Sequence, residues 1–254
     1  VNDAFSVSHR SHLSTVGLAK YLPSFSGRYL EQEVSMINKS LNISSGQKFG
    51  IIGGSKISTK LKVLENLSNN VDFLFIGGGM ANTFLLAKGF KIGKSLCERS
   101  MINTANNILL NAKKKNCEII LPTDALVAKD MEKGTSFKEL LIDEISNDSL
   151  ILDIGTNTIK KINEILKSAS TVVWCGPLGL FELNPFQKGT VSVAKEISNL
   201  TKNKKIISIA GGGDTVAALS QSNYNKDFTY ISTAGGAFLE LLAGEKLPGL
   251  EVLR

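Results

Sequence analysis

The sequence predicts an α/β fold, a parallel sheet sandwiched by helices, and three observations carry that prediction. Short apolar runs of strand length recur along the chain and end in glycine: residues 49–52 before Gly53 and Gly54, residues 73–76 before Gly77, Gly78 and Gly79, residues 206–210 before Gly211, Gly212 and Gly213. The segments between them place apolar residues at helical spacing. The runs themselves are continuously apolar, as expected of strands covered by helices on both faces.

Taken in order, residues 1–22 are polar and mixed, with His9, Arg10 and His12 close together, and Pro23, Ser24, Ser26 and Gly27 form a turn-rich break. Tyr29, Leu30, Val34, Ile37 and Leu41 then fall on one stripe, so residues 27–40 read as an amphipathic helix able to connect two bodies. After Ser44 the strand and helix rhythm begins. Strands are expected at 49–52, 73–76, 118–121, 150–154, 171–174, 206–210 and 230–232. Helices are expected at 58–67, 81–88, 100–115, 157–168, 191–200, 216–219 and 238–243. The polar stretch 129–147 interrupts the rhythm and reads as a surface hairpin or loop. A parallel sheet connected by right-handed crossovers puts every strand's C-terminal loop on one edge, so the glycines are expected to converge on one ligand site.

The 254 residues, 43% of them hydrophobic, suffice for a full core. No apolar run reaches the roughly 18 residues that span a bilayer, and no basic start precedes an apolar stretch, so neither a membrane segment nor a secretory signal is expected, and the cytoplasm is the expected compartment. Cys97, Cys117 and Cys175 are odd in number and widely spaced, which argues against disulfides and zinc and for buried thiols. The net charge of +6 is scattered; its one compact run, Lys113 to Lys115, falls late in a helix, and no nucleic-acid role is expected. The chain opens on VNDAF, already mid-pattern, and reads as the remainder of something longer.

The glycine-bearing strand ends carry the chemistry. Residues 206–220 read as a strand, a loop that a ligand can approach closely, and a helix N-terminus aimed at the same spot, which suits phosphate. Asp214 would repel that anion unless a cation lies between them. Lys56 and Lys60, four apart across a strand-to-helix junction, could reach one anion if the helix begins near Ser58, or could simply be exposed. Gly77 to Gly79 suit a ligand wall or close helix packing. Glu182, held near the same edge by the turn of Gly176, Pro177 and Gly179, suits ribose hydroxyls or is a plain surface residue. Arg10 could bind a carboxylate or phosphate, or form a structural salt bridge. Neither GxxxxGK[ST] nor GxGxxG is present, which weakens both a P-loop enzyme and an NAD-binding oxidoreductase.

VNDAFSVSHRSHLSTVG, GGSKISTK, FIGGGMANTFL, VVWCGPLGLFE, IAGGGDT and STAGGAFLELLAGEKLPGL, in this order, closely resemble phosphoglycerate kinase. The likeness runs from Val1 to Leu253. It implies a Rossmann-like nucleotide lobe of a two-lobed kinase, with residues 1–26 a remnant of the 3-phosphoglycerate lobe, 27–40 the interdomain hinge helix, and 41–254 the nucleotide-binding lobe. It implies a glycolytic, cytoplasmic, monomeric enzyme that uses Mg²⁺ with ATP or ADP and transfers a phosphoryl group to or from 3-phosphoglycerate and 1,3-bisphosphoglycerate. The alternative is a nucleotide-binding module with no activity of its own. By motif, His9 and Arg10 resemble the acidic-substrate site, and Lys56 and Lys60 the phosphate-contacting lysines. Gly77, Gly78, Gly79, Leu96 and Pro177 resemble the adenine pocket, and Glu182 the ribose ligand. Gly211, Gly212, Gly213, Asp214 and Thr215 resemble the phosphate and metal loop, with Asp214 holding Mg²⁺. Thr233, Gly235 and Gly236 resemble the helix start that steadies the phosphoryl group, and Lys56, Lys60, Gly212, Gly235 and Gly236 the catalytic set. Cys175 stands where the family usually has Asn, so one polar contact to the nucleotide phosphates is expected to be lost.

Overall fold

The computed structural model describes residues 1–42 and 46–254; the expected start of the rhythm after Ser44 lies outside the described residues. Short helical turns at Phe5–Val7, Leu13–Gly17 and Leu18–Lys20 precede α1 (Arg28–Asn42). The chain continues through β1 (Gln47–Ile52), α2 (Leu61–Asn70), β2 (Phe73–Ile76), α3 (Gly78–Ala87), α4 (Ile102–Lys114) and β3 (Glu118–Ile120). After β4 (Asp124–Ala128), β5 (Phe137–Leu141), β6 (Leu150–Ile154) and α5 (Thr156–Ser168) come β7 (Ala169–Cys175), α6 (Lys188–Lys202), β8 (Ile207–Gly211) and α7 (Gly213–Ser222). The last elements are β9 (Tyr230–Ser232), α8 (Gly236–Leu242) and α9 (Pro248–Glu251).

Six strands form a sheet in the order β3-β2-β1-β7-β8-β9, and every pairing in it is parallel. Strand alternation sends Phe49, Ile51, Val172 and Trp174 to one face, where they pack against Ile162, Leu166, Val193 and Ile197 of α5 and α6. The residues between them, Ile52, Val173 and Cys175, face the opposite core, built with Ile37 of α1, Leu64 of α2, Phe84 of α3 and Phe238 of α8. Both faces are dry, which is why the strands read as unbroken apolar runs.

Three expectations are corrected. Residues 150–154 were expected in the parallel sheet; as β6 they instead pair antiparallel with β4, and β4 pairs antiparallel with β5, giving a separate sheet ordered β5-β4-β6. The hairpin expected in 129–147 is present, as the β4–β5 turn of that sheet. The helix expected from Ser58 begins at Leu61, because residues 57–60 form a separate turn closed by Lys60 N–H on the Ile57 carbonyl. Of the three free cysteines, Cys117 and Cys175 are buried, whereas Cys97 is half-buried.

The first residues pack onto this body. Phe5 is fully buried in the core, Gly249 donates from its backbone to Ser8 at 2.8 Å, and the start of α1 is fixed by Leu30 N–H donating to the Asp3 carboxylate at 2.7 Å. Among the described residues no helix is long and apolar enough to cross a membrane.

Candidate functional site

From β1 the chain steps to β2 and β3 on one side, and from β7 to β8 and β9 on the other, so the strand order reverses between β1 and β7. The crevice outside the C-terminal ends at such a reversal is where open α/β sheets bind ligands. Here it is a cleft of about 480 Å³ lined by Gly54 after β1, Gly78 and Gly79 after β2, Pro177 to Glu182 after β7, and Asp214 after β8. Its outer wall is Leu96 together with β6.

The glycines mesh backbone against backbone. Gly53 N–H donates to the Cys175 carbonyl at 2.8 Å, Gly78 N–H to Leu178 at 2.9 Å, and Met80 N–H to Gly54 at 2.9 Å. A Cβ on Gly53 would lie 2.0 Å from the Pro177 carbonyl oxygen, and one on Gly78 2.7 Å from that of Gly54. The strand ends therefore form one rigid floor, with Gly77 buried beneath and Gly78 and Gly79 the first residues of α3.

Lys60 is folded into this floor: its Nζ donates to the Gly53 carbonyl at 2.6 Å, at the place where a side chain on Gly176 would stand. Burial pushes the Cys175 thiol up, and the Lys60 charge opposes that shift. Lys56 is exposed and its charge is felt by Glu98. The two lysines have different surroundings, Lys60 in the floor and Lys56 at the surface near Glu98.

At the β8 end, Gly211 is glycine because Phe238 packs against it, with a hypothetical Cβ only 2.6 Å from that ring. Gly212 turns the chain at φ +96°. Thr215 is buried, and its hydroxyl accepts from Gly176 N–H at 2.6 Å, tying α7 to the β7 loop. Gly213 and Asp214, by contrast, are exposed, and among the described residues no atom beyond its own stretch of helix lies within 4 Å of where a Gly213 Cβ would be. A first helical turn, open space and a carboxylate with no hydrogen-bond partner among the described residues fit Mg²⁺, which takes one or two protein carboxylates and completes its shell with phosphates and water.

A second group gathers at α8. His9 Nε2 lies 3.0 Å from the Cβ position of Gly236, and Arg10 Nε donates to His9 Nε2 at 3.3 Å. Thr233 stands 3.4 Å from the Tyr29 hydroxyl of α1. Gly235 has φ +56° and open space around it.

Two acidic residues, one lining the cleft and one beside the turn that carries Lys56 and Lys60, went unnoticed in the sequence. Asp153, at the end of β6, is fully buried, with Gly189 N–H donating at 2.6 Å and Ile154 N–H at 2.9 Å. Burial pushes its carboxyl up to about 8, against the pull of those donors and of the Lys188 charge. A lone acid inside the apolar run LILDI was its only signal. Glu98 follows Leu96, and nothing in its neighbourhood in the sequence marks it.

Fold and site thus define a parallel α/β protein whose ligand cleft sits at a sheet reversal and is floored by glycine loops. The family model described as phosphoglycerate kinase matches residues 1–245. Relatives named phosphoglycerate kinase from Methylorubrum populi and Azorhizobium caulinodans are each 50% identical over all 254 residues. The structure of phosphoglycerate kinase from Coxiella burnetii superposes with a TM-score of 0.94 at 40% identity, covering 98% of this chain and 64% of that one. The enzyme from Pyrococcus horikoshii gives 0.84 at 33% identity, covering 99% and 62%. The chain belongs to the phosphoglycerate kinase family, and it spans 64% of the length of the curated relatives it matches.

Proposed function

We propose that this chain is the nucleotide-binding part of a cytoplasmic, monomeric phosphoglycerate kinase, a transferase acting on the carboxyl group of 3-phosphoglycerate with Mg-ATP to give ADP and 1,3-bisphosphoglycerate, reversibly. The observation that carries the reading is the glycine-floored cleft at the sheet reversal, with Asp214 at the start of α7 on its lining. Residues 1–26 are then the remnant of the second lobe, residues 27–40 the hinge helix, and residues 41–254 the nucleotide lobe.

In this reading the adenine lies against Gly78, Gly79, Leu96 and Pro177, and Glu182 takes the ribose hydroxyls. The phosphates approach Gly212 and Gly213 at the start of α7. Asp214 holds Mg²⁺, which supplies charge neutralisation to the phosphates when bound. Lys60 sits on the Gly53 carbonyl beside that loop, and Lys56 reaches the transferring group from the mouth. His9 and Arg10, beside Gly235 and Gly236, meet the acidic substrate. Positioning and charge neutralisation suffice for in-line phosphoryl transfer, so neither a nucleophile nor a covalent intermediate is needed.

A second reading, a binding module without turnover, is favoured by the 64% span. Calorimetric titration with Mg-ADP and an assay for 1,3-bisphosphoglycerate separate the two: binding with turnover supports the kinase, binding alone the module, and no binding refutes both. Gly213→Ala adds a sharper test. Its Cβ enters open space at an ordinary backbone angle, so stability should stay within about 0.5 kcal/mol while Mg-ADP affinity falls about tenfold. Unchanged affinity would remove the α7 loop from the site.

A further inference from the structure

We infer that Glu98 is a positioning residue that clamps the lysine-bearing turn to the apolar wall of the cleft, so that phosphate recognition depends on it while recognition of the base does not. The inference rests on the nucleotide reading above.

The turn before α2 has no cap of its own: Lys60, at the helix boundary, makes no capping bond with its side chain. An open N–H of that turn is met from another part of the chain. Glu98 accepts from Ser58 N–H at 3.1 Å and from the Ser58 hydroxyl. One carboxylate thus does what an N-cap residue does elsewhere, forty residues away in sequence. Inside the turn, Lys60 N–H donates to the Ile57 carbonyl at 2.9 Å and Thr59 Oγ1 to the Lys56 carbonyl at 2.9 Å. Both lysines are therefore fixed relative to the turn that Glu98 holds.

The other end of the clamp is anchored in α3. Glu98 N–H donates to the Thr83 hydroxyl at 2.9 Å, and Asn82 Nδ2 donates to the Leu96 carbonyl at 2.9 Å. Thr83 and Asn82 are buried, whereas the Leu96 side chain is half-exposed on the cleft. Residues 95–98 thus form a strap with the apolar contact on one side and the lysine turn on the other. Burial alone would raise the Glu98 carboxyl, but the Ser58 donors and the Lys56 charge hold it below its ordinary value. The site keeps it as the anion that the turn needs.

The test uses the 254-residue chain with Glu98→Ala and Glu98→Gln, comparing Mg-ADP with adenosine and following trypsin cleavage at Lys56 and Lys60. Glu98→Ala is expected to weaken Mg-ADP binding about tenfold and leave adenosine within about twofold, with Glu98→Gln intermediate because its amide oxygen still accepts. Cleavage at the two lysines should accelerate at least about fivefold at unchanged global stability, as expected of local opening. Equal losses for Mg-ADP and adenosine, or no loss of Mg-ADP affinity, overturn the inference. If the unmodified chain binds neither ligand, the nucleotide reading fails and trypsin alone decides the clamp: unchanged cleavage refutes it, faster cleavage supports it. Should Glu98→Ala not fold, the same comparisons on Glu98→Gln decide.

Discussion

The two sheets solve opposite problems. The six-stranded sheet is covered on both faces, and its strand ends are locked by backbone contacts that leave no room for a side chain. The three-stranded sheet pairs antiparallel; its central strand β4 is wholly buried, yet its edge strand β5 is largely exposed. Both line the cleft, the first through its glycine floor and the second through β6. The comparison teaches that the floor is set by backbone fit, whereas the outer wall is set by side chains, and the two should respond differently to substitution.

The largest difference is expected between two glycines. Gly53→Ala drives a Cβ against the Pro177 and Gly176 carbonyls, both backbone, and should cost about 3 kcal/mol or more with loss of the cleft. Gly134→Ala, in the β4–β5 turn, meets no atom within 4 Å and carries only the strain of φ +84°, so about 1 kcal/mol is expected. Urea unfolding of both variants measures this. Similar costs would erase the distinction between floor and wall.

Asp153 joins the two sheets, since it ends β6 and accepts from Gly189 in the first turn of α6. Burial raises its carboxyl from 3.8 to about 8. Over that interval the unfolded chain sheds the proton and the folded chain keeps it. Its contribution to stability is therefore full below the ordinary value and declines as the pH rises through about 8. Asp153→Asn, which cannot ionise, should lose less stability than the unmodified chain between about pH 5 and pH 9. Denaturation midpoints at the two pH values check this, and parallel slopes would mean that the carboxyl ionises equally in both states.

The same contrast explains how much was legible beforehand. Strands buried on both faces leave continuous apolar runs, so β1, β2, β3, β7, β8 and β9 were visible, and the glycines after β1, β2 and β7 pointed to the cleft. In β5, FKELL alternates neither cleanly nor apolarly because most of it faces water, and β4, DALVA, is too short to stand out after Pro122. Strand direction has no sequence signature of its own, which is how β6 was assigned to the wrong sheet. Gly53 and Gly78 were readable because backbone packs where a side chain would stand. The reading that Lys56 and Lys60 could reach one anion was tied to a helix starting near Ser58, and α2 starts three residues later. Glu98 acts through contacts forty residues distant, and Asp153 through a buried bond to Gly189, and neither long-range pairing is encoded in local spacing.

The smallest effect belongs to the outer wall. The Phe137 ring of β5 is half-exposed and meets the buried Phe186 edge-on, with centroids 6.1 Å apart and planes at 77°. Phe186 in turn packs with Leu126, Ala128 and Leu152, the layer behind the β6 wall. Phe137→Ala removes one aromatic contact and little buried area, so about 1 kcal/mol should be lost in urea unfolding. Because Phe186 stays anchored by the other three side chains, Mg-ADP affinity should remain within about twofold. A fall in affinity in step with stability would mean that β5 holds the cleft in shape, and the three-stranded sheet would then be part of the binding device rather than its support.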